Sequence, residues 1–399
     1  MDAVPDRTGS FDGVHRRNLA RVLGLVHLEG PLSRARLTAL TGLNRSTIAA
    51  LAGELVELRL VEERAPDPTN RVGRPSPVIA PDPRLVAIAV NPEVDAVTIA
   101  AVGLGGRTAV RRRVDVDRLV EPDEVARLTA DTISGWRDGE LRDARFVGVG
   151  LAVPGLVRGS DGLVRFAPHL EWRDAPVRSF VEEATGLPTA VGNDASLGAI
   201  AEHRFGAGRG VDDLVYLNGG ASGIGGGLIV HGRAVGGTSG YAGEFGQNRP
   251  GIAASGDRRA TDGVLEDEVS RSRLLAAVGL RSADEPALAA AIRDVLGADG
   301  DAGAAVADEL DRQRRILATA LANAVNVLNP SLVILGGFLA TLAEQDPDAL
   351  RTAVAAQAMP AAAEDVDLVV AALGEDRLMI GAAEAAFAPL LADPLAAAG

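Results

Sequence analysis

Apolar residues recur at helical spacing through the first sixty positions. In VHRRNLARVLGLVHLEG, Val14, Leu19, Val22, Leu23 and Val26 share a face, which predicts a helix closed by Gly30-Pro31. Ser33 can cap a short helix, SRARLTAL, that stops at Thr41-Gly42. Asn44 can cap a third, NRSTIAALAGELVELRL, with Ile48, Leu51, Leu55 and Leu58 inward. Leu60 to Arg64 and Pro77 to Ala80 predict two strands flanking a polar loop. From Arg84 onward, apolar runs of strand length alternate with amphipathic helical stretches. They include VAIAV, FVGVGLAV, a glycine-rich hairpin LVYLNGGASGIGGGLIVHG, SLVILGG and DLVVAA. Strands alternating with helices imply an α/β body.

Composition adds three constraints. The chain has 399 residues, enough for two or three domains, and no run approaches a membrane span. An acidic, polar start without an apolar core argues for a cytoplasmic protein. With no cysteine, thiol catalysis, iron–sulfur clusters and thiolate zinc sites are excluded. The net charge of −14 argues against nucleic-acid binding by the whole chain, but it is unevenly spread. Residues 1–80 hold 11 arginines and 9 acidic residues, a balance of +2, against −16 for the remainder.

That basic segment reads as a winged helix-turn-helix. The third helix opens with Asn44, Arg45, Ser46 and Thr47, polar residues suited to a major groove and the phosphates beside it. Arg45 is the candidate for bridging guanine O6 and N7, with Ser46 and Thr47 on phosphates. Arg71 and Arg74, in the loop of the predicted wing, are candidates for a minor groove. The expected partner is double-stranded operator DNA.

In the body, GVGLAVPGLV (148–157), APHLEW (167–172), GNDAS (192–196), AEHRFG (201–206), GIGGGLIVHG (223–232) and AGEFGQ (242–247) follow one another at compact spacing. In this order the motifs resemble the ROK family of repressors and sugar kinases, and the resemblance runs from about Val14 to the C-terminus. It implies an actin-like, ribonuclease-H-like α/β fold. The expected domains are the winged helix-turn-helix over 1–80, a first lobe over 81–196, a second over 197–376, and a C-terminal helix over 377–399 packing back on the first lobe. It also implies a sugar site. Asp194 matches the family's general base and Asn193 its neighbour. Glu244 matches the Glu of a Glu-x-Gly-His motif, and Glu266 a following carboxylate. His169 stands where relatives often carry Asn. Carboxylates and amides suit polyol recognition because each buried hydroxyl needs a partner.

Two departures bear on chemistry. The resemblance implies zinc held by a His and three Cys, but here Gln247 and SGDRRATDG stand in those places, and His15, His27, His203 and His231 are scattered. The expectation is no metal, no cofactor, and a loop over about 248–262 that is loose or held by hydrogen bonds. The family's kinases also carry a glycine-rich phosphate loop after the first strand. Here that segment is AVNPEVDAV, and Pro92 has no N–H to offer a phosphate. The expected function is therefore a regulator, a repressor of carbohydrate genes that senses a sugar without catalysis and assembles as a homodimer or homotetramer. An ATP-dependent sugar kinase, or a regulator that has lost sugar binding, are the alternatives.

Overall fold

The computed structural model describes residues 8–65, 76–220, 223–252, 254–298 and 300–396. Helix α1 (Thr8–Glu29) buries Leu19, Val22, Leu23 and Val26 completely, whereas Val14 is 44% exposed and takes no part in the core. A short strand β1 (Leu32–Ser33), not predicted, leads into α2 (Arg34–Thr41), capped by the Ser33 hydroxyl and stopped by Gly42 at φ 73°. Helix α3 (Arg45–Glu57) follows after a three-residue turn, with Ile48, Leu51 and Leu55 buried. Strands β2 (Val61–Arg64) and β3 (Val78–Pro81) pair antiparallel, and β1 adds to β3 on the other side. The loop between β2 and β3, with Arg71 and Arg74, lies outside the described residues.

Next come β4 (Leu85–Pro92), β5 (Ala96–Gly103), β6 (Thr108–Asp115), helix α4 (Pro122–Asp138) and β7 (Arg145–Val153). Every residue of β4 is buried, as expected for a central strand covered on both faces. A small hairpin, β8 (Leu156–Val157) with β9 (Val164–Ala167), precedes β10 (Trp172–Ala175), α5 (Val177–Thr185) and β11 (Thr189–Asn193). The first five-stranded sheet runs β11-β7-β4-β5-β6.

The second sheet follows α6 (Asp194–Phe205) and runs β14-β13-β12-β15-β16. Its strands are β12 (Leu214–Gly220), β13 (Gly223–Val230), β14 (Arg233–Ala234), β15 (Leu332–Gly337) and β16 (Asp367–Val370). Counted within each lobe, both sheets have the strand order 3-2-1-4-5, the first three strands antiparallel and the fourth parallel to the first. This repeated topology is the actin-like, ribonuclease-H-like α/β architecture. Between β14 and β15 lie α7 (Leu265–Glu268), α8 (Arg271–Ala277), α9 (Glu285–Leu296) and the long α10 (Asp301–Leu328). Leu310, Leu317, Leu321 and Val325 of α10 join Val215, Leu217, Val333 and Leu335 in the second core. Helices α11 (Phe338–Glu344), α12 (Pro347–Ala355), α13 (Pro360–Glu364) and α14 (Arg377–Ala392) complete the chain.

The chain clusters into one unit of Met1–Val153, Leu170–Gly192 and Ala382–Gly399, and another of Pro154–His169 and Asn193–Gly381. The winged helix-turn-helix thus groups with the first lobe rather than standing apart. The reason is a buried anchor at the end of α1. His27 Nε2 lies 3.0 Å from Glu384 of α14, and His27 Nδ1 accepts the Gly105 N–H at 3.0 Å. Arg145 at the start of β7 also donates to the Leu58 carbonyl at the end of α3, 2.9 Å away. The division after Gly192, rather than at 196, follows from Asn193, whose Nδ2 donates to the Gly155 carbonyl at 3.1 Å and whose neighbouring helix packs on β13.

Candidate functional site

The DNA-reading candidate is built on the start of α3. Asn44 caps the helix, its Oδ1 accepting the Thr47 N–H at 2.8 Å and the Ser46 hydroxyl at 2.7 Å. The cap is therefore Asn44's principal local job, and it fixes the direction in which Arg45 leaves the helix. Asn44, Arg45 and Ser46 are exposed and Thr47 is half-buried. Arg45 makes no ion pair among the described residues, whereas Arg34 is tied to Glu63 and Arg64 to Glu62. Arg36 on α2 is exposed and equally unpaired among the described residues, a further phosphate candidate that the helical pattern did not single out.

The polyol candidate is built in the second unit. Asn193 caps α6 through the Ser196 N–H at 2.9 Å, which makes Asp194 the first residue of the helix rather than part of a free turn. Asp194 Oδ1 accepts the Ala195 N–H at 2.8 Å and the Asn193 amide at 3.1 Å. Burial raises the Asp194 carboxyl above its ordinary value, opposed by the Ala195 N–H and the Arg377 charge. Burial also raises Glu244, reinforced by the negative charges of Asp194 and Glu266. Gln247 closes the group, its amide donating to Glu266 Oε1 at 2.6 Å, while Glu266 Oε2 accepts the Ile224 N–H at 3.1 Å. His169 stands exposed on the one-turn helix Pro168–Leu170.

The glycines of GIGGG explain why these groups converge. A Cβ on Gly225 would sit 2.6 Å from the Ala195 Cβ, and one on Gly227 2.5 Å from the Ala199 Cβ. Helix α6 thus lies directly on β13, which brings Asp194 to the strand beside Glu266. A Cβ on Gly226 would meet the Phe245 ring at 2.5 Å, so the turn carrying Glu244 packs on the opposite face. Gly246 similarly leaves room for the Glu266 carboxylate, 2.7 Å from where its Cβ would be. Close approach of backbone accounts for this run without invoking phosphate.

The segment corresponding to the kinase phosphate loop is a plain hairpin end. Asn91 pairs with Thr98 and Pro92 with Val97, and the Glu93 N–H donates to the Ala96 carbonyl at 2.7 Å. Glu93 and Asp95 place carboxylates in that turn, both bound by Arg113. The first N–H is missing, the next is used, and the turn carries negative charge.

A zinc ion does not fit the donors present. Gln247 offers an amide in place of an imidazole or thiolate, Asp257 is paired with Arg315, and no group of three metal-capable side chains occurs among the described residues. The loop is held by protein groups instead. Arg312 of α10 is 1% exposed and donates to the Asp257 and Glu268 carbonyls at 2.9 and 2.7 Å and to the Glu268 carboxylate at 3.1 Å. Arg312 and Glu268 were not legible in the sequence because charges in a helical pattern read as solvent-facing; only the place of Arg312 among the apolar residues of α10 hinted otherwise.

The family model described as ROK family matches residues 88–388. The xylose repressor of Caldicellulosiruptor bescii is 24% identical over 91% of this chain and 93% of its own. The glucokinase of Thermotoga maritima is 31% identical over 75% of this chain and 97% of its own. A crystal structure of a ROK family transcriptional regulator, a homologue of the E. coli MLC protein, superposes with a TM-score of 0.75 at 24% identity, covering 96% of this chain and 99% of that one. The chain belongs to the ROK family.

Proposed function

We propose that this protein is a DNA-binding transcriptional repressor of carbohydrate genes whose kinase-like body senses a sugar and does not transfer phosphate. One observation carries the reading: an exposed, unpaired Arg45 on a capped recognition helix shares a chain with a sugar-kinase-like body whose phosphate turn is closed by Asn91 and Pro92. The extent of the relatives supports it. The repressor match spans the N-terminal segment and the body, whereas the glucokinase match covers 75% of the chain. Operator contact is assigned to Asn44, Arg45, Ser46 and Thr47, and from the sequence alone to Arg71 and Arg74. Sugar contact is assigned to Asn193, Asp194, Glu244, Gln247 and Glu266, and to His169 from the family resemblance alone. A cytoplasmic homodimer or homotetramer is the form in which two recognition helices would address a symmetric operator.

Sugar binding would regulate only if one conformation of the repressor binds it better. The test pairs two assays on the full chain. Isothermal titration with D-xylose and D-glucose is expected to show binding to one of them, weakened at least tenfold by Glu244→Ala. An ADP-release assay with the same sugars is expected to stay at background. ADP release that vanishes in Asp194→Asn would establish the kinase reading in its place. Absence of any sugar binding, with operator binding intact, would leave the body as an assembly module.

A further inference from the structure

We propose that the buried pair Arg312–Glu268 is a positioning device for the sugar site, holding the 257–260 loop and helix α7 in the place where the family resemblance puts a zinc ion. Glu268 is fully buried, and its carboxylate accepts the Arg259 N–H and the Ala260 N–H, each at 3.0 Å, together with Arg312 Nη1. Arg312 in turn is held on its own helix by Glu309, with Nε and Nη2 at 2.9 and 2.8 Å from the two carboxylate oxygens. The next residue, Gln313, grips Ser270 by both backbone groups, accepting its N–H at 3.1 Å and donating to its carbonyl at 3.2 Å. Outside this centre, Arg315 binds Asp257 at 2.9 Å. One rigid helix therefore reads the backbone on both sides of α7.

The consequence reaches the site by a short path. Glu268 ends the same four-residue helix that carries Glu266, and Glu266 is bonded to Gln247 and to the Ile224 N–H. A tethered ion fixes a loop by gathering several donor atoms at one centre. Here the guanidinium gathers two carboxylates and two carbonyls in a planar fork, a role a lysine ammonium fills less well. Losing the cation would strand Glu268 as a buried charge and leave the half-buried Glu309 without its main partner, so the loop would leave its place rather than keep it unsupported.

The test uses trypsin and does not depend on which sugar binds. Arg258 and Arg259 offer cleavage sites in the loop, and Arg259 is held by its N–H bonds to Glu268. The full chain, Arg312→Lys, Arg312→Met and the milder Glu268→Gln are digested in native buffer, with and without 1,10-phenanthroline. We expect the parent loop to resist cleavage and to ignore the chelator. Cleavage after Arg258 or Arg259 should accelerate at least tenfold in Arg312→Met and Glu268→Gln, and less in Arg312→Lys. Unchanged cleavage in Glu268→Gln and Arg312→Met, or a parent loop opened by the chelator, would overturn the proposal. The link to the site rests on the sugar-sensing reading and has its own arm. If the parent binds D-xylose or D-glucose, Glu268→Gln should weaken that binding at least fivefold while leaving operator affinity unchanged. Cleavage that accelerates in a protein binding neither sugar would uphold the tether and fail the sugar reading.

Discussion

At the residue scale, Glu244 and Arg45 make the sharpest claims. The folded state raises the Glu244 carboxyl because it is partly buried and faces Asp194 and Glu266. A carboxyl raised in this way favours the folded state below its unfolded pKa, and that contribution is lost as pH rises through the folded value. Above that value the ionised Glu244 is therefore a strain on the sugar-free protein. Glu244→Gln should stabilise it by about 1 kcal/mol in denaturant titration, the usual trade of stability against function. The same variant should bind sugar more weakly, because a charge-assisted acceptor has become a neutral one. In the parent, sugar affinity should begin to fall with acidification at a pH above the ordinary glutamate range, visible as a titration-calorimetry profile. On the other face of function, Arg45→Ala should cost about 1–3 kcal/mol of operator binding, read by fluorescence anisotropy at one fixed salt concentration. Asn44→Ala should cost about 1 kcal/mol of stability through the lost cap.

At the element scale, contact between α6 and β13 places the site. Gly225→Ala puts a methyl 2.6 Å from the Ala195 Cβ, and Gly227→Ala one 2.5 Å from the Ala199 Cβ. Each should destabilise the protein by about 1–3 kcal/mol, measured as a shift in the denaturation midpoint. Much of this was legible beforehand. The three N-terminal helices, the wing strands and the glycine-rich hairpin stand where hydrophobic periodicity and turn residues put them. The carboxylates Asp194, Glu244 and Glu266 were named from the order of the family motifs. What the sequence could not reveal was long-range and polar. Nothing local says that Glu268 is buried, that Arg312 reads the backbone 44 and 55 residues upstream, or that the Gln247 amide bonds Glu266. Val14 shows the converse, an apolar residue on the predicted face that the bundle leaves exposed.

At the scale of the whole molecule, the DNA-reading domain does not hang from a free linker. His27 is 1% exposed and Glu384 2%, and the pair ties α1 to the C-terminal helix. Because His27 Nδ1 accepts the Gly105 N–H, the proton sits on Nε2, facing the Glu384 carboxylate. Glu384→Ala should destabilise the protein by about 1–3 kcal/mol, the cost of leaving the buried His27 N–H without its acceptor. The division of charge has the same meaning: a reader of +2 is carried by a body of −16, which disfavours DNA lying along it. The central claim, that the winged helix is a specific DNA reader, is tested most directly by selecting duplexes from a random-sequence pool with the full chain. We expect enrichment of a two-fold symmetric site bound about a thousandfold more tightly than the starting pool, with Arg45→Ala losing most of that preference. A pool that never enriches, or an Arg45→Ala protein that selects and binds the same site equally well, would contradict it.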